Sequence, residues 1–473
     1  MLFNSLEFLL FAVFFFSVYF FLKGRIRLWY LLGSSYLFYC FWDWRFAALI
    51  LISSLVDFQA GRGVSEAKSK RNRRRWLWAS LGVNLGILCA FKYLNFFIVS
   101  AAALLESIGF VAHHSTLQII LPLGISFYTF QSMSYTLDIY AGRIEPEKQL
   151  LRFCVFVSLF PQLVAGPILR ARKMLPQLAM EPQFHPRRCI TGLEFIIWGF
   201  FLKLCIADNL AMYIDPRFEQ FTHYGGAVML MTFVAFSFQI YTDFAGYSLI
   251  AIGLGRIMGL DFGVNFRRPY FASGFGEFWR RWHISMSSWF RDYVYIPLGG
   301  NRYGLKRTLF CLCATMALAG FWHGAAWGFI VWGLLHALFQ SIEKLAKTKS
   351  KPEGEPSGGL IGRWFGVAAV FITVTLAWVP FRVPDILECI ALYRHSFAAP
   401  LGLQGFRGDL NYLAAGLAGV FILLAVEWAC EARPRFIRIR RSPWLHGFVL
   451  ASLINMILFM GKLSGKPFIY FVF

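Results

Sequence analysis

Charge is scarce in this sequence. Only 15% of its 473 residues are Asp, Glu, Lys or Arg, against about 25% in an ordinary soluble domain. A soluble chain of this length would need a far more charged surface, so a water-soluble globular protein is excluded as a class. Paired cysteines are missing too. The nine Cys include no CxxC pair, and Cys311 and Cys313 lie two apart inside an apolar run, where i and i+2 do not share a helix face. The cysteines read as small hydrophobes in packed helices. There is no P-loop, no dinucleotide fingerprint, no HExxH and no GxSxG, so ATP-driven, redox and zincin chemistries have no sequence support. No internal repeat is visible, which gives a two-halves transporter little support.

What is present is apolar length. The chain is 58% hydrophobic and 19% aromatic, and runs long enough to span a membrane recur from end to end. The fold class that follows is all-α, a polytopic membrane protein forming one domain over 1–473. The net charge of +21 gathers in short loops between apolar runs. That pattern fits the inside-positive rule rather than nucleic-acid binding. The first run, EFLLFAVFFFSVYFFL (7–22), has Lys23, Arg25 and Arg27 after it and no basic residue before it. A signal peptide has the reverse order, so a retained first helix with its N-terminus outside is expected.

The alternation of basic clusters orders the rest. Segments 28–44 and 46–60 form a hairpin turning near Trp42, Asp43 and Trp44, and KSKRNRRR (68–75) is cytoplasmic. A span over 76–104 leads to an outer loop in which His113 and His114 are plain exposed residues, and 117–137 returns inward. Basic residues flank 152–169 on both sides, and Pro161 and Gly166–Pro167 interrupt it. A broken, re-entrant segment surrounded by protein or a water-filled cavity fits that best. Spans follow over 190–214 and 228–251, with Asp215, Pro216 and Arg217 in a short loop between them. Residues 265–307 are basic and aromatic, suited to the cytoplasmic interface. The run 308–341 is too long for one span and too short for two upright ones, so helices entering from both ends should meet near His323. A soft cytoplasmic linker covers 344–360, and 361–379 and 411–430 are spans joined by an outer loop. RPRFIRIRR (433–441) returns to the inner surface before a last span over 443–460. The total is about 11 transmembrane helices plus re-entrant segments around a central cavity, with both termini outside.

Ionisable residues inside such segments mark a working interior. They are Lys203, Asp208, Gln239, Asp243, Glu277, His283, Arg291, Asp292, His323 and His336. The charge pairs read equally well as bundle glue. His323 stands apart in LAGFWHGAAWGFIVWGLLHAL (318–338), between Trp322 and Gly324, where the small residues at 324–326 would admit another segment or a ligand. Neutral imidazole can take a proton from a hydroxyl, and a dry cavity protects a reactive ester or thioester from water. These features suit acyl transfer to an alcohol, and they are equally compatible with proton transport.

Longer motifs narrow the choice. EFWRRWHISMSSWFRDYVYIPLGGNR (277–302) and GFWHGAAWGFIVWGLLHAL (320–338) resemble the membrane-bound O-acyltransferases, and within them the alginate-type bacterial branch. PLGISFYTFQSMSYTLDIYAG (122–142), SLFPQLVAGPILR (158–170) and FQIYTDFAGYSLIAIGLG (238–255) extend the likeness. The most characteristic region is 122–340, and the closing FIYFVF departs from the expected pattern at Val472. The resemblance implies that His323 is the catalytic histidine, that His283 in RRWHIS supports it, and that His336 has a weaker role. It implies an acetyl group taken from acetyl-CoA, with no tightly bound cofactor or metal, and passed across the inner membrane to an exported polysaccharide, alginate first, with O-acetylation of peptidoglycan or cellulose and D-alanylation of teichoic acid as the alternatives. The partners it implies are periplasmic or membrane-anchored SGNH-like acetyltransferases, with membrane lipid around the chain. Arg267, Arg268, Arg280, Arg281, Arg302, Lys306 and Arg307 would crowd the rim of a donor funnel. Gly299 and Gly300 suggest a tight turn rather than a phosphate cradle.

Overall fold

The computed structural model describes all residues except 111–115, 118, 164–165, 350–358, 400–401, 403–404, 407, 433–441 and 463–473. The expectations for His113 and His114, for the 433–441 loop, for most of the linker and for the closing FIYFVF lie outside the described residues. Helices dominate, and no strand occurs among the described residues. Among the described residues, eight helices are long and apolar enough to cross a membrane: Gly24–Glu66, Lys70–Ser107, Pro186–Glu219, Gly226–Ile257, Gly304–His323, Gly359–Arg382, Leu410–Glu431 and Pro443–Met460. The protein is therefore all-α and multi-pass. It forms two compact units, Met1–Leu193 with Ala251–Gly263, and Glu194–Ile250 with Val264–Phe473.

In the first unit, the opening helix is Leu6–Tyr19, whose N-terminus Ser5 caps by accepting the Phe8 N–H at 3.2 Å. Its 14 residues reach about 21 Å, short of the ~30 Å hydrocarbon core. Arg27 is not a solvent-facing flank; it is buried and donates to the Leu178 carbonyl at 2.8 Å. The expected turn falls at Trp44–Phe46, where Asp43 leaves the helical region and its carboxylate accepts from the Arg45 N–H. The helix predicted over 117–137 starts only at Ile125, because Pro122 and the left-handed Gly124 (φ +71°) precede it. Segment 152–169 is broken as expected. Helices Leu150–Ser158 and Phe160–Leu163 are separated by Leu159, and 153–163 is buried throughout.

In the second unit, Pro186–Phe200 leads into a π-helical turn, Phe201–Ala207, and then Asp208–Glu219. This last helix runs through Pro216, so the loop expected around Asp215 and Arg217 is helical. Arg217 is buried, and carbonyls accept from its two terminal nitrogens: Tyr213 at 2.6 Å, Gly408 at 2.7 Å and Gly405 at 3.2 Å. The connection expected as an outer loop contains a helix, Ile386–Ala398. The basic aromatic stretch after 264 breaks into short pieces: Pro269–Phe271, Phe275–Arg281, Ile284–Phe290 and Arg291–Tyr295.

The 308–341 run resolves into Gly304–His323 and Trp327–Lys349, meeting at 324–326. Both helices extend into the flanking basic residues, which gives them about 30 and 34 Å. The length problem arose from counting only the apolar residues. Glycines bring the two backbones together. A Cβ on Gly320 would lie 2.1 Å from the Phe329 carbonyl oxygen, and one on Gly333 would lie 2.2 Å from that of Met316. Gly324 does admit another segment, but it leaves no open space: its Cβ position is 2.0 Å from the Phe329 ring.

Candidate active site

His323 is the last residue of its helix, and the chain leaves it through extended Gly324. Its side chain is only 3% exposed. Trp322, Trp332 and Phe381 surround the imidazole at centroid distances of 4.9, 5.1 and 5.3 Å. The glycine contacts fix where the helix ends, and the aromatic rings exclude water from the imidazole.

His283 lies 6.4 Å from His323, centroid to centroid. It occupies the left-handed region at φ +40°, which costs about 1–2 kcal/mol for a residue with a Cβ. Two backbone bonds hold it there: Arg267 N–H to the Arg281 carbonyl and Ile284 N–H to the Asn265 carbonyl, each 2.9 Å. Its Nδ1 is 3.2 Å from Asn265 Oδ1, which also accepts from the Ser285 N–H at 3.3 Å and the Ser285 hydroxyl at 2.9 Å. Asn265 Nδ2 donates to Ser248 Oγ at 3.1 Å. Because Oδ1 is the acceptor, Nδ1 carries the proton and Nε2 is the basic nitrogen. Burial pushes the His283 pKa down to about 3, so the ring is neutral at ordinary pH.

His336 sits in an aromatic box. Phe278 stacks on it at 6.0 Å, and Trp279 and Trp332 approach edge-on at 5.1 and 5.0 Å. Neither ring nitrogen has a hydrogen-bond partner among the described residues. Trp332 thus touches both His323 and His336.

Lys203 lies in the π-helical turn, fully enclosed, 2.9 Å from Asp208 and 2.7 Å from Asp243. The pair read from sequence is a triad. Gly199 and Gly246 bring their helices into backbone contact beside it, each Cβ position being within 2.8 Å of the other's carbonyl oxygen. Gln239 is buried on the same long helix as Asp243. Arg291 and Asp292 pair at 2.8 Å, the arginine exposed and the aspartate half-buried.

The arginines proposed for the donor rim divide. Arg267, Arg280 and Arg302 are exposed, as are Lys306 and Arg307. Arg281 does not face solvent; it is bound to Glu277 at 2.6 Å and to Glu431 at 2.9 Å. Arg268 joins Glu431 at 3.2 Å and Arg363 joins it at 2.8 Å. Burial opposes the Glu277 carboxylate, but the Ser273 amide and Arg281 outweigh it and hold its carboxyl below the ordinary range. Gly299 and Gly300 form a turn, both with positive φ, closed by the Gly300 N–H to the Tyr295 carbonyl at 2.9 Å.

Several residues of this site were not singled out from sequence. Asn265, Trp332 and Glu343 carried no local signal; Glu343 accepts the Gly276 N–H at 2.9 Å and caps Phe275–Arg281. Glu427, buried against the Tyr241 hydroxyl, did carry one, since an acid within an apolar run is unusual. Among the described residues, no group of three or more His, Cys, Asp or Glu could hold a metal ion.

Residues 147–352, which contain all three histidines, match the profile of the membrane-bound O-acyltransferase family. The chain is 38% identical over 404 residues to the probable alginate O-acetylase AlgI of Pseudomonas putida, covering 84% of this chain and 80% of that protein. It is 33% identical over 408 residues to the peptidoglycan O-acetyltransferase of Helicobacter pylori, covering 81% and 74%. It is 30% identical over 273 residues to the teichoic acid D-alanyltransferase of Bacillus subtilis, covering 55% and 68%.

Proposed function

The chain belongs to the membrane-bound O-acyltransferase family and is an O-acyltransferase, and from that premise we propose that it takes acetyl from cytoplasmic acetyl-CoA and passes it across the inner membrane for O-acetylation of exported alginate. The observation that carries this reading is the 38% identity with an alginate O-acetylase over 84% of the chain. Peptidoglycan is the second reading, favoured by 33% identity over 81% of the chain.

In this proposal His323 is the catalytic base, or carries acetyl to the acceptor. As base, it takes the hydroxyl proton while that oxygen attacks the thioester carbonyl. A C–O bond forms, the C–S bond breaks, and the proton leaves with the thiol. The aromatic shell supports this by keeping water from the thioester. His283, held neutral by burial, would support His323 by accepting a hydrogen bond at Nε2. His336 would shape the cavity from the far side of Trp332. Arg267, Arg280 and Arg302 would meet the donor's phosphates, while Arg268 and Arg281 position the segment through Glu431.

The eleven-span topology with re-entrant segments and both termini outside belongs to the same reading. It is supported by the broken 150–163 stretch, buried over 153–163, and by the short helices after 264. A periplasmic or membrane-anchored SGNH-like acetyltransferase would complete the transfer to polysaccharide. The test is radiolabelled acetyl transfer from acetyl-CoA in membrane vesicles supplied with that partner and either alginate or peptidoglycan. Label in alginate is expected; label in peptidoglycan alone would move the acceptor. Solute flux without acetyl-CoA consumption would replace the enzyme with a proton-coupled transporter.

A further inference from the structure

In the first unit, the helices Ala47–Glu66 and Lys70–Leu88 are joined by a short basic turn, in which Ser69 caps the second helix by accepting the Asn72 N–H at 3.2 Å. Lys68, Lys70, Arg71, Arg74 and Arg75 are exposed there. Between this turn and the one after Tyr140 lies an open cleft of about 450 Å³. Arg73 and Arg143 line it, with Ala67, Glu145, Ile139 and Ile144.

The two arginines are held in place. Arg73 Nη2 donates to the Tyr140 carbonyl at 3.1 Å, and its guanidinium carbon lies 5.5 Å from the Tyr140 ring centroid. Its Nε is enclosed without a hydrogen-bond partner among the described residues. Arg143 follows Gly142 (φ +71°) and is anchored to buried Asp138 at 3.0 Å, while its side chain stays 39% exposed. Two anchored guanidinium groups bordering one cleft, beside a turn of exposed positive charge, suit a phosphate better than they suit water. Ile139 and Ile144 add apolar surface to the lining. The inside-positive rule puts this turn at the inner leaflet, where anionic lipids lie. Glu145 on the lining limits the charge the cleft can take, which favours a phosphate monoanion over a polyanion.

We propose that this cleft binds the phosphate headgroup of an anionic phospholipid, between Arg73 and Arg143. The inference goes beyond the acyl-transfer reading and uses none of its residues.

Native mass spectrometry on the delipidated, detergent-purified full chain tests it. The titrants are phosphatidylglycerol, phosphatidylcholine, inorganic phosphate and coenzyme A. One phosphatidylglycerol should be retained per chain, and phosphatidylcholine much less. The double variant Arg73→Gln/Arg143→Gln should lose roughly tenfold in affinity, the weight of about one good contact. Ala67→Phe keeps every charge and fills the cleft, so it should lose a similar factor even if the double variant misfolds. Arg71→Gln/Arg74→Gln removes equal charge outside the lining and should retain the lipid. Equal loss in that control would mean diffuse attraction and would overturn the site. So would undiminished binding in Ala67→Phe, or equal retention of phosphatidylcholine. Displacement of the lipid by inorganic phosphate or coenzyme A would assign the cleft to a soluble phosphate or phosphate ester instead.

Discussion

The imidazole centroids of His283 and His323 lie 6.4 Å apart, with their ring planes inclined by 57°. One ring closes a long helix, and the other is held in a left-handed turn by Asn265. With His323 as the proposed base, His323→Gln should lower acetyl transfer by 10²–10⁴-fold, about what a general acid–base group contributes. Gln is preferred to Ala because the imidazole fills a packed aromatic shell, and Gly324 offers no slack beside it. Asn265→Ala should also impair turnover, since it frees the His283 tautomer, while His336→Gln should do least. The readout is acetylated product per unit of membrane-inserted enzyme. Near-normal turnover in His323→Gln would remove it from the chemistry.

The rim arginines should separate into two phenotypes. Arg280 is exposed, so Arg280→Glu should weaken the use of acetyl-CoA without reducing folded protein. Arg281→Glu would place a third carboxylate against Glu277 and Glu431. Losing those charge-assisted bonds should destabilise the protein by roughly 1.5–3 kcal/mol. Thermal unfolding in detergent, run beside acetyl-CoA titration, distinguishes the two. Identical behaviour of both variants would contradict the division.

This contrast marks what sequence could and could not carry. The break at 324–326 was legible because Gly and Ala interrupt an apolar run too long for one span, and the turn at Asp43 because a charge sits between tryptophans. Lys203 and its acids stood out because charge in an apolar segment is rare. Glu277 stands four residues before Arg281, at helical spacing, but the arginine's other partner was not legible, because Glu431 lies 150 residues away and spacing says nothing about contacts between distant helices. Arg217 was misread for a related reason: backbone carbonyls, which every sequence has, neutralise its donors. Asp57 met the same criterion as Asp208. It lies buried among the Ser80, Ser132, Asn84 and Thr136 side chains, polar residues of two other helices whose convergence no local spacing shows.

Glycines between the 304–323 and 327–349 helices should be intolerant of a single methyl. At Gly320 and Gly333 the added Cβ would meet backbone at 2.1 and 2.2 Å, which no rotamer change relieves. Gly333→Ala should destabilise by roughly 1–3 kcal/mol and reduce activity by shifting the end of the His323 helix. Gly447→Ala, where nothing lies within 4 Å, should be neutral. Equal melting temperatures for Gly333→Ala and Gly447→Ala would show that the helix pair is looser than this.

His283 also predicts how stability depends on pH. Its pKa is pushed by burial from 6.5 to about 3, so between those values the unfolded chain binds the extra proton. Stability should therefore be whole above about pH 6.5 and fall as pH drops through that window, with a limiting slope of about 1.4 kcal/mol per pH unit. His283→Gln should be less stable at pH 7.5 but lose less on acidification to pH 5. An unchanged difference in melting temperature between the two pH values would mean that His283 is not the group responsible.

The buried triad of Lys203, Asp208 and Asp243 yields the most stringent comparison. Lys203 Nζ sits 2.9 and 2.7 Å from the two carboxylates, and all three side chains are at most 5% exposed. Removing the lysine takes from two desolvated acids the ammonium that lies 2.9 and 2.7 Å from them. Lys203→Met should therefore lower stability by roughly 3–5 kcal/mol, the usual penalty for removing one partner of a buried ion pair. A triple variant, Lys203→Met with Asp208→Asn and Asp243→Asn, removes the charges together and should recover much of the loss. If the triad only fastens the helices at Gly199 and Gly246, acetyl transfer should recover with stability. If it also handles protons for the reaction, the triple variant should fold yet stay inactive. Measuring melting temperature and turnover on the same preparations separates the two roles. Normal stability in Lys203→Met would dismiss the triad as a structural element.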